Sequence, residues 1–286
     1  MSVSHPLTLG AVAYDQKVVT IWDGFQQYFH SRGLDFDYVL YTNYERLVQA
    51  QILVQIDVAW NSPLAWLQAD RAARSIGRRA EAICMRDSDR DLTSIIVVRS
   101  DSRIESLADL RGKNVAVGAG DSPQATLIPL NFLADNGLVP REDFAVIPFD
   151  KLLGKHGDHI GGERDAIAAL LSGVAHAACI LDANLLTFGR EGTLPSGSTR
   201  VLAQTPTYDH CNFTILDGAP AEPVARFREL LLGMSYSDPA VRPLLDLEGL
   251  KRWLPGRTEG YGQLTAAVDR FDTIGGFVRQ LAGQWR

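Results

Sequence analysis

VAVGAGDSPQATLIPL, residues 115–130, sets the signals of a strand, a bend and a helix start side by side. Val115-Ala116-Val117 is small and β-prone and reads as a strand. Gly118-Ala119-Gly120 permits a tight bend. Asp121-Ser122-Pro123 then spells a helix start, because Asp and Ser cap helices and Pro sits well in a first turn. A strand, a glycine-rich bend and a helix N-terminus in this order leave backbone N–H groups open to a polar or anionic ligand group.

Working outward, residues 94–99 (SIIVVR) form a β-branched strand, and residues 104–113 a short helical turn feeding the opening strand. Downstream, the helix runs to Asn136-Gly137, a left-handed stop. Residues 144–149 are a strand. Residues 151–163 (KLLGKHGDHIGGE) are polar and glycine-rich. Then come a helix over 165–171 and a strand over 176–181 that ends at Asp182. Before the opening stretch, a strand at 7–12 leads to a helix at 18–31 with Ile21, Trp22, Phe25, Tyr28 and Phe29 at helical spacing. Residues 35–41 alternate as a half-buried strand. A helix begins at Asn43, a strand spans 55–60 and breaks at Asn61-Ser62-Pro63, a helix continues to about 74, and 83–85 is a strand. Beyond Asp182, strands at 201–204 and 212–215 precede a helix at 223–234 and a tail that reads as helical over 241–247 and 261–285.

The same unit occurs twice. Residues 46–60 read helix, turn, strand with a polar end, and residues 164–182 repeat it. Open α/β sheets gather ligands at the carboxyl ends of their strands. Two such units predict two α/β lobes, with residues 94–99 and 201–212 as the crossings between them.

Composition sets bounds. The chain has 286 residues, 46% hydrophobic and 22% charged, with a net charge of −6. That length supplies one large or two modest domains, and the negative charge without a Lys/Arg run argues against nucleic-acid partners. No apolar run approaches the roughly 20 residues of a membrane span. The first residues, MSVSHPLTLGAVAY, lack a basic segment and a long apolar core, so the sequence as given reads as cytoplasmic, or as periplasmic with its export signal trimmed. Three widely spaced cysteines, Cys84, Cys179 and Cys211, make neither a disulfide framework nor a zinc-knuckle spacing. Cys84 and Cys179 are expected in the core.

The run SIIVVRSDSRIESLADLRGKNVAVGAGDSPQATLIPLNFLADNGL, with ERLVQAQILVQIDVAWNSPLAWL and RDAIAALLSGVAHAACILDANL, resembles the type II periplasmic solute-binding proteins. The branch it resembles is that of the phosphate/phosphite/phosphonate-type ABC-transporter binding proteins. The resemblance implies an α/β, two-lobed type II periplasmic-binding-protein fold. Each lobe would be a mixed sheet flanked by helices, and two crossover strands would act as the hinge. Lobe I would hold residues 1–95 and 210–286 and lobe II residues 96–209, with the ligand cleft between them. An ABC permease would be the partner, no cofactor is implied, and the protein would close on a small polar or anionic metabolite.

Residue by residue, the resemblance places Tyr14 and Tyr44 at first-lobe helix starts that line the cleft, and Trp60, Asn61 and Ser62 at a strand end facing the ligand. Asp121, Ser122, Gln124 and Thr126 stand where the family has a small-hydroxyl loop. Asp182 stands where the family often has a carboxylate. A hydroxyl cradle donates to phosphonate oxygens, whereas Asp121 repels them and Pro123 lacks an N–H. A carboxylate-bearing or zwitterionic ligand is therefore an equal expectation.

Two histidine groupings fall outside the resemblance. His156 and His159 with Glu163 have a spacing suited to a divalent metal, or to a polar loop whose histidines bind the ligand. His210 beside Cys211 suggests a ligand contact, a general base or an activated thiolate, although strand neighbours point to opposite faces. His159, His210, Cys211 and Asp182 are accordingly the catalytic candidates of the alternative reading. That alternative is a cytoplasmic lyase, decarboxylase or hydrolase on the same scaffold.

Overall fold

The computed structural model describes residues 5–284. The first four residues of the N-terminal stretch and the end of the tail helix at Trp285 lie outside them. In chain order the elements are β1 (Leu7–Val12), α1 (Lys17–Ser31), β2 (Phe36–Tyr41), α2 (Tyr44–Ile52), β3 (Val58–Asn61), α3 (Pro63–Ser75) and β4 (Ala80–Arg86). Then follow β5 (Ser94–Arg99), β6 (Asn114–Val117), α4 (Ile128–Asp135), β7 (Ala145–Pro148), α5 (Gly161–Leu171), β8 (Ala177–Leu181), α6 (Asp182–Arg190) and β9 (Thr199–Gln204). The remainder is β10 (Asn212–Leu216), α7 (Ala221–Leu232), α8 (Arg242–Glu248), β11 (Trp253–Pro255), α9 (Gly262–Phe271) and α10 (Gly275–Gln284).

The chain divides into two compact units. One comprises residues 1–90, 209–260 and 274–286, the other residues 91–208 and 261–273. The first unit's sheet has the order β11-β4-β10-β3-β1-β2. Its strand β1 runs parallel to β2 and β3, while β10 runs antiparallel to β3 and β4. The second unit's sheet has the order β7-β6-β8-β5-β9. There β6 runs parallel to β7 and β8, and β5 runs antiparallel to β8 and β9. The two orders superimpose as a pattern: β6 takes the place of β1, β8 that of β3, and β5 that of β10. The repeated helix-turn-strand unit therefore reflects a repeated topology, and β3 and β8 hold equivalent places.

Period-2 alternation explains how each sheet is buried on both faces. In β5, Ile95 and Val97 join one apolar cluster, and Ile96 and Val98 join the other. In β8, Ala178 and Ile180 face the first cluster, and Ala177 and Cys179 the second. One face of the first sheet carries an aromatic cluster that includes Trp22, Phe25, Phe29, Phe36, Phe213, Phe227 and Trp253. Val12, Leu47, Val48 and Ile56 pack with α2 and α3 in a separate cluster. Cys84 and Cys179 are buried, and burial pushes both thiols up to about 12.

Three differences from the sequence reading have local causes. The tail is not one helix. Asp272 adopts a left-handed conformation with φ of 46° and closes α9. Helix α9 then belongs to the second unit rather than the first: Arg270 reaches the Asp135 carboxylate at 2.6 Å and the Asn131 carbonyl at 3.2 Å, and Phe271 packs on that unit's apolar cluster. Helix α6 starts at Asp182, where the sequence suggested only a strand end. The chain changes unit beside Arg90, a few residues before the expected crossing at 94–99, and beside Tyr208, within the expected crossing at 201–212. Residues 89–92 and 208–210 pair there through Leu92 with Tyr208 and through His210 N–H to Asp89 O at 2.8 Å.

Candidate functional site

In the second unit, β6 delivers the chain into the bend at Gly118-Ala119-Gly120, and Ser122 caps the helix that follows. Its Oγ accepts from Ala125 N–H at 3.2 Å. The first turn is wide: Leu127 N–H bonds to Ser122 O at 3.0 Å, a five-residue span over Pro123–Leu127 that runs into α4. Such π-type turns recur at functional sites. Gln124 donates to Gly157 O at 2.9 Å and accepts on its own carbonyl from Ser94 Oγ at 2.5 Å. Thr126 is buried, and its hydroxyl has no hydrogen-bond partner among the described residues.

The glycine-rich segment 151–160 folds over this helix start. Gly157 has a φ of +82°, and a Cβ there would stand 2.3 Å from Ser122 Oγ and 2.6 Å from Gln124 Nε2. Asp121 turns toward the same segment and accepts from Gly154 N–H at 2.5 Å. Asp150 accepts from Gly120 N–H at 2.7 Å. The unit's own carboxylates thus hold backbone N–H donors of the bend and of the segment over it. Asp182 is exposed at the start of α6, 3.4 Å from Thr93 Oγ1.

His156, His159 and Glu163 do not form a metal cluster among the described residues. His156 is buried with a φ of 48°. His159 Nδ1 accepts from Gly161 N–H at 3.2 Å. Glu163 points inward from α5, where it accepts from Leu181 N–H at 3.0 Å and Asn184 Nδ2 at 2.8 Å. Its carboxylate joins the start of α6 to α5, a structural task that leaves the histidines without their expected third ligand.

In the first unit, the equivalent end of β3 carries Asn61 and Ser62. Ser62 caps α3 by accepting from Ala65 N–H at 3.1 Å. Asn61 is fully buried; Nδ2 reaches Gln51 at 3.3 Å, while Oδ1 has no partner among the described residues. Tyr14 is half-buried on the aromatic cluster, with the Lys17 ammonium 5.7 Å from its ring. Tyr44 is 1% exposed and packs with Val12, Leu47 and Val48. Trp60 is 6% exposed. Phe213 lies 4.5 Å from its ring and the Arg86 guanidinium 5.1 Å from it. Trp60 stands at the end of β3, the strand end expected to face the ligand, and these two groups pack on its ring.

Arg86 leads to a group that periodicity could not assemble. It holds Asp89 with two bonds of 2.5 and 2.9 Å and the Glu248 carboxylate at 3.1 Å. Burial alone would raise the Asp89 carboxyl, but Arg86 and His210 bring it down to about 2. His210 Nδ1 lies 3.5 Å from Asp89 Oδ1 and 3.1 Å from Cys211 Sγ. The expectation that His210 and Cys211 diverge fails because the pair precedes β10 and is free of strand alternation. Tyr208, a third residue of this segment, is fully buried with its hydroxyl 2.7 Å from Ser94 Oγ, and burial raises its pKa.

Known structures share this architecture at low identity. PhnD1 from Prochlorococcus marinus (MIT 9301), in complex with methylphosphonate, aligns over 94% of this chain and 98% of its own, at 18% identity and a TM-score of 0.69. XAC2383 from Xanthomonas citri, bound to chloride ion, aligns over 98% and 100%, at 17% identity and a TM-score of 0.67. A binding protein component of an ABC phosphonate transporter, PA3383 from Pseudomonas aeruginosa, aligns over 99% and 98%, at 13% identity and 0.63. Each shares the two-lobed α/β fold. Residues 10–261 match the family model described as ABC transporter, phosphonate, periplasmic substrate-binding protein, and the chain belongs to that family.

Proposed function

We propose that this protein captures a small polar or anionic metabolite for an ABC permease, in the periplasm, by closing two lobes on it. The second unit contributes the helix start at Ser122, Gln124 and Thr126 with Asp182, and the first contributes Asn61 and Ser62. Tyr14, Tyr44, Trp60, Asp121, His159 and His210 are the outer members of the set. No helix among the described residues is long and apolar enough to cross a membrane.

The observation that carries this reading is a pair of buried polar atoms, Thr126 Oγ1 and Asn61 Oδ1, that lack partners among the described residues. Asn61 closes β3 in the first unit, and Thr126 follows the carboxyl end of β6 in the second. Buried polar groups are nearly always paired, and a ligand hydroxyl or amine is a natural partner for each. Asp121 keeps a carboxylate at the helix start, which favours a zwitterionic organic ligand, whose cationic group it can face, over a bare anion. No observation favours turnover.

The test is a thermal-shift series with methylphosphonate, inorganic phosphate, a short sulfonate, a dicarboxylate and an amino acid, followed by chemical analysis of the best stabiliser. One class should raise the melting temperature in proportion to the logarithm of its concentration and be recovered intact. Conversion of the stabiliser to product, or no stabilisation by any anion or zwitterion, would overturn it.

A further inference from the structure

We propose a divalent-cation site of the zinc class formed by Asp89, His210 and Cys211. A carboxylate oxygen, an imidazole nitrogen and a thiol sulfur, all buried, lie within 4.8 Å of one another. Two ligands each about 2.0–2.3 Å from a tetrahedral zinc stand roughly 3.3–3.8 Å apart. Here His210 Nδ1 is 3.1 Å from Cys211 Sγ and 3.5 Å from Asp89 Oδ1. Small side-chain shifts would complete the coordination, and a mixed N, S and O donor set suits zinc better than magnesium or calcium.

The surroundings are built like a ligand shell. Arg86 fixes the Asp89 carboxylate from behind with two bonds, and Glu248 and the Trp60 ring fix Arg86 in turn. Outer partners of this kind orient metal ligands. Charge also closes. With Cys211 as thiolate and His210 neutral, Asp89, Glu248 and Cys211 carry three negative charges against one positive on Arg86. A divalent cation brings the group to neutrality, and binding it displaces the Cys211 proton to solvent. The ligands come from both segments that lead the chain between units, Asp89 on the outgoing one and His210-Cys211 on the returning one. Bound metal would therefore fasten these segments together within the first unit.

The test is titration of the full chain with cadmium and cobalt, reading the thiolate-to-metal charge-transfer band, with zinc competition. The expected result is one equivalent with a band that zinc abolishes. Cys211→Ser should remove the band, Asp89→Asn should weaken affinity at least tenfold, and Cys84→Ser should leave it intact. Circular dichroism establishes that each variant is folded. No band in the folded wild-type protein, or a band that survives Cys211→Ser, would overturn the proposal.

Discussion

Gly157 lies directly on Ser122, so close that a single added methyl would stand 2.3 Å from the serine hydroxyl. Its φ of +82° is also one that side chains avoid. Gly157→Ala should therefore destabilise the protein by about 2–3 kcal/mol, from backbone strain and overpacking together. Chemical denaturation checks the loss. Solute affinity should fall too, because the segment is pushed off the helix start.

Thr126→Val replaces a buried, unpartnered hydroxyl with a methyl of the same shape. An unpartnered buried hydroxyl costs about 1–3 kcal/mol. The ligand-free variant should therefore match or exceed wild-type stability by up to about 1 kcal/mol. Affinity for the stabilising ligand should drop about five- to tenfold, read by calorimetry. Equal affinity in both proteins would remove Thr126 from the solute site.

Asp89 governs an acid transition. Its carboxyl is held at about 2 against an ordinary 3.8. A depressed carboxyl contributes stability that is fully present above the ordinary value and is lost as pH falls through the depressed one. The window is thus about pH 4 down to 2, and the loss roughly 2 kcal/mol. Asp89→Asn should abolish that component in an acid titration of stability. At neutral pH it should cost about 3 kcal/mol, since Arg86 loses its bidentate partner in a buried setting.

Phe213 lies 4.5 Å from Trp60, 5.1 Å from Phe227 and 5.2 Å from Trp253 by ring centres. Phe213→Ala should cost about 3–5 kcal/mol and collapse the near-ultraviolet dichroism that these packed rings produce.

Local signals carried much of the architecture. SIIVVR announces β5 because a strand buried on both faces is apolar throughout, and Asp121-Ser122-Pro123 announces the helix start because caps are set by neighbouring residues. The repeated helix-turn-strand pattern exposed the equivalence of β3 and β8. Other features left no such mark. Helix α6 was hidden because Asp182 suits a strand end as well as a helix start. The break at Asp272 lies in a helical composition and comes from a left-handed residue rather than a glycine. Trp60 sits at a strand end, and no local pattern announced that Arg86 and Phe213 pack on its ring.

Two α/β units of like topology, the capped helix start and the family's fold were legible along the chain, because period, capping and turn chemistry act over a few residues. Long-range packing alone makes Glu163 brace α6, closes Gly157 on Ser122 and brings Asp89 to His210 and Cys211. Those contacts join residues from 18 to more than 100 positions apart, at distances set by how whole elements pack. No local pattern encodes such a meeting; it exists once the strands have taken their places in the sheet.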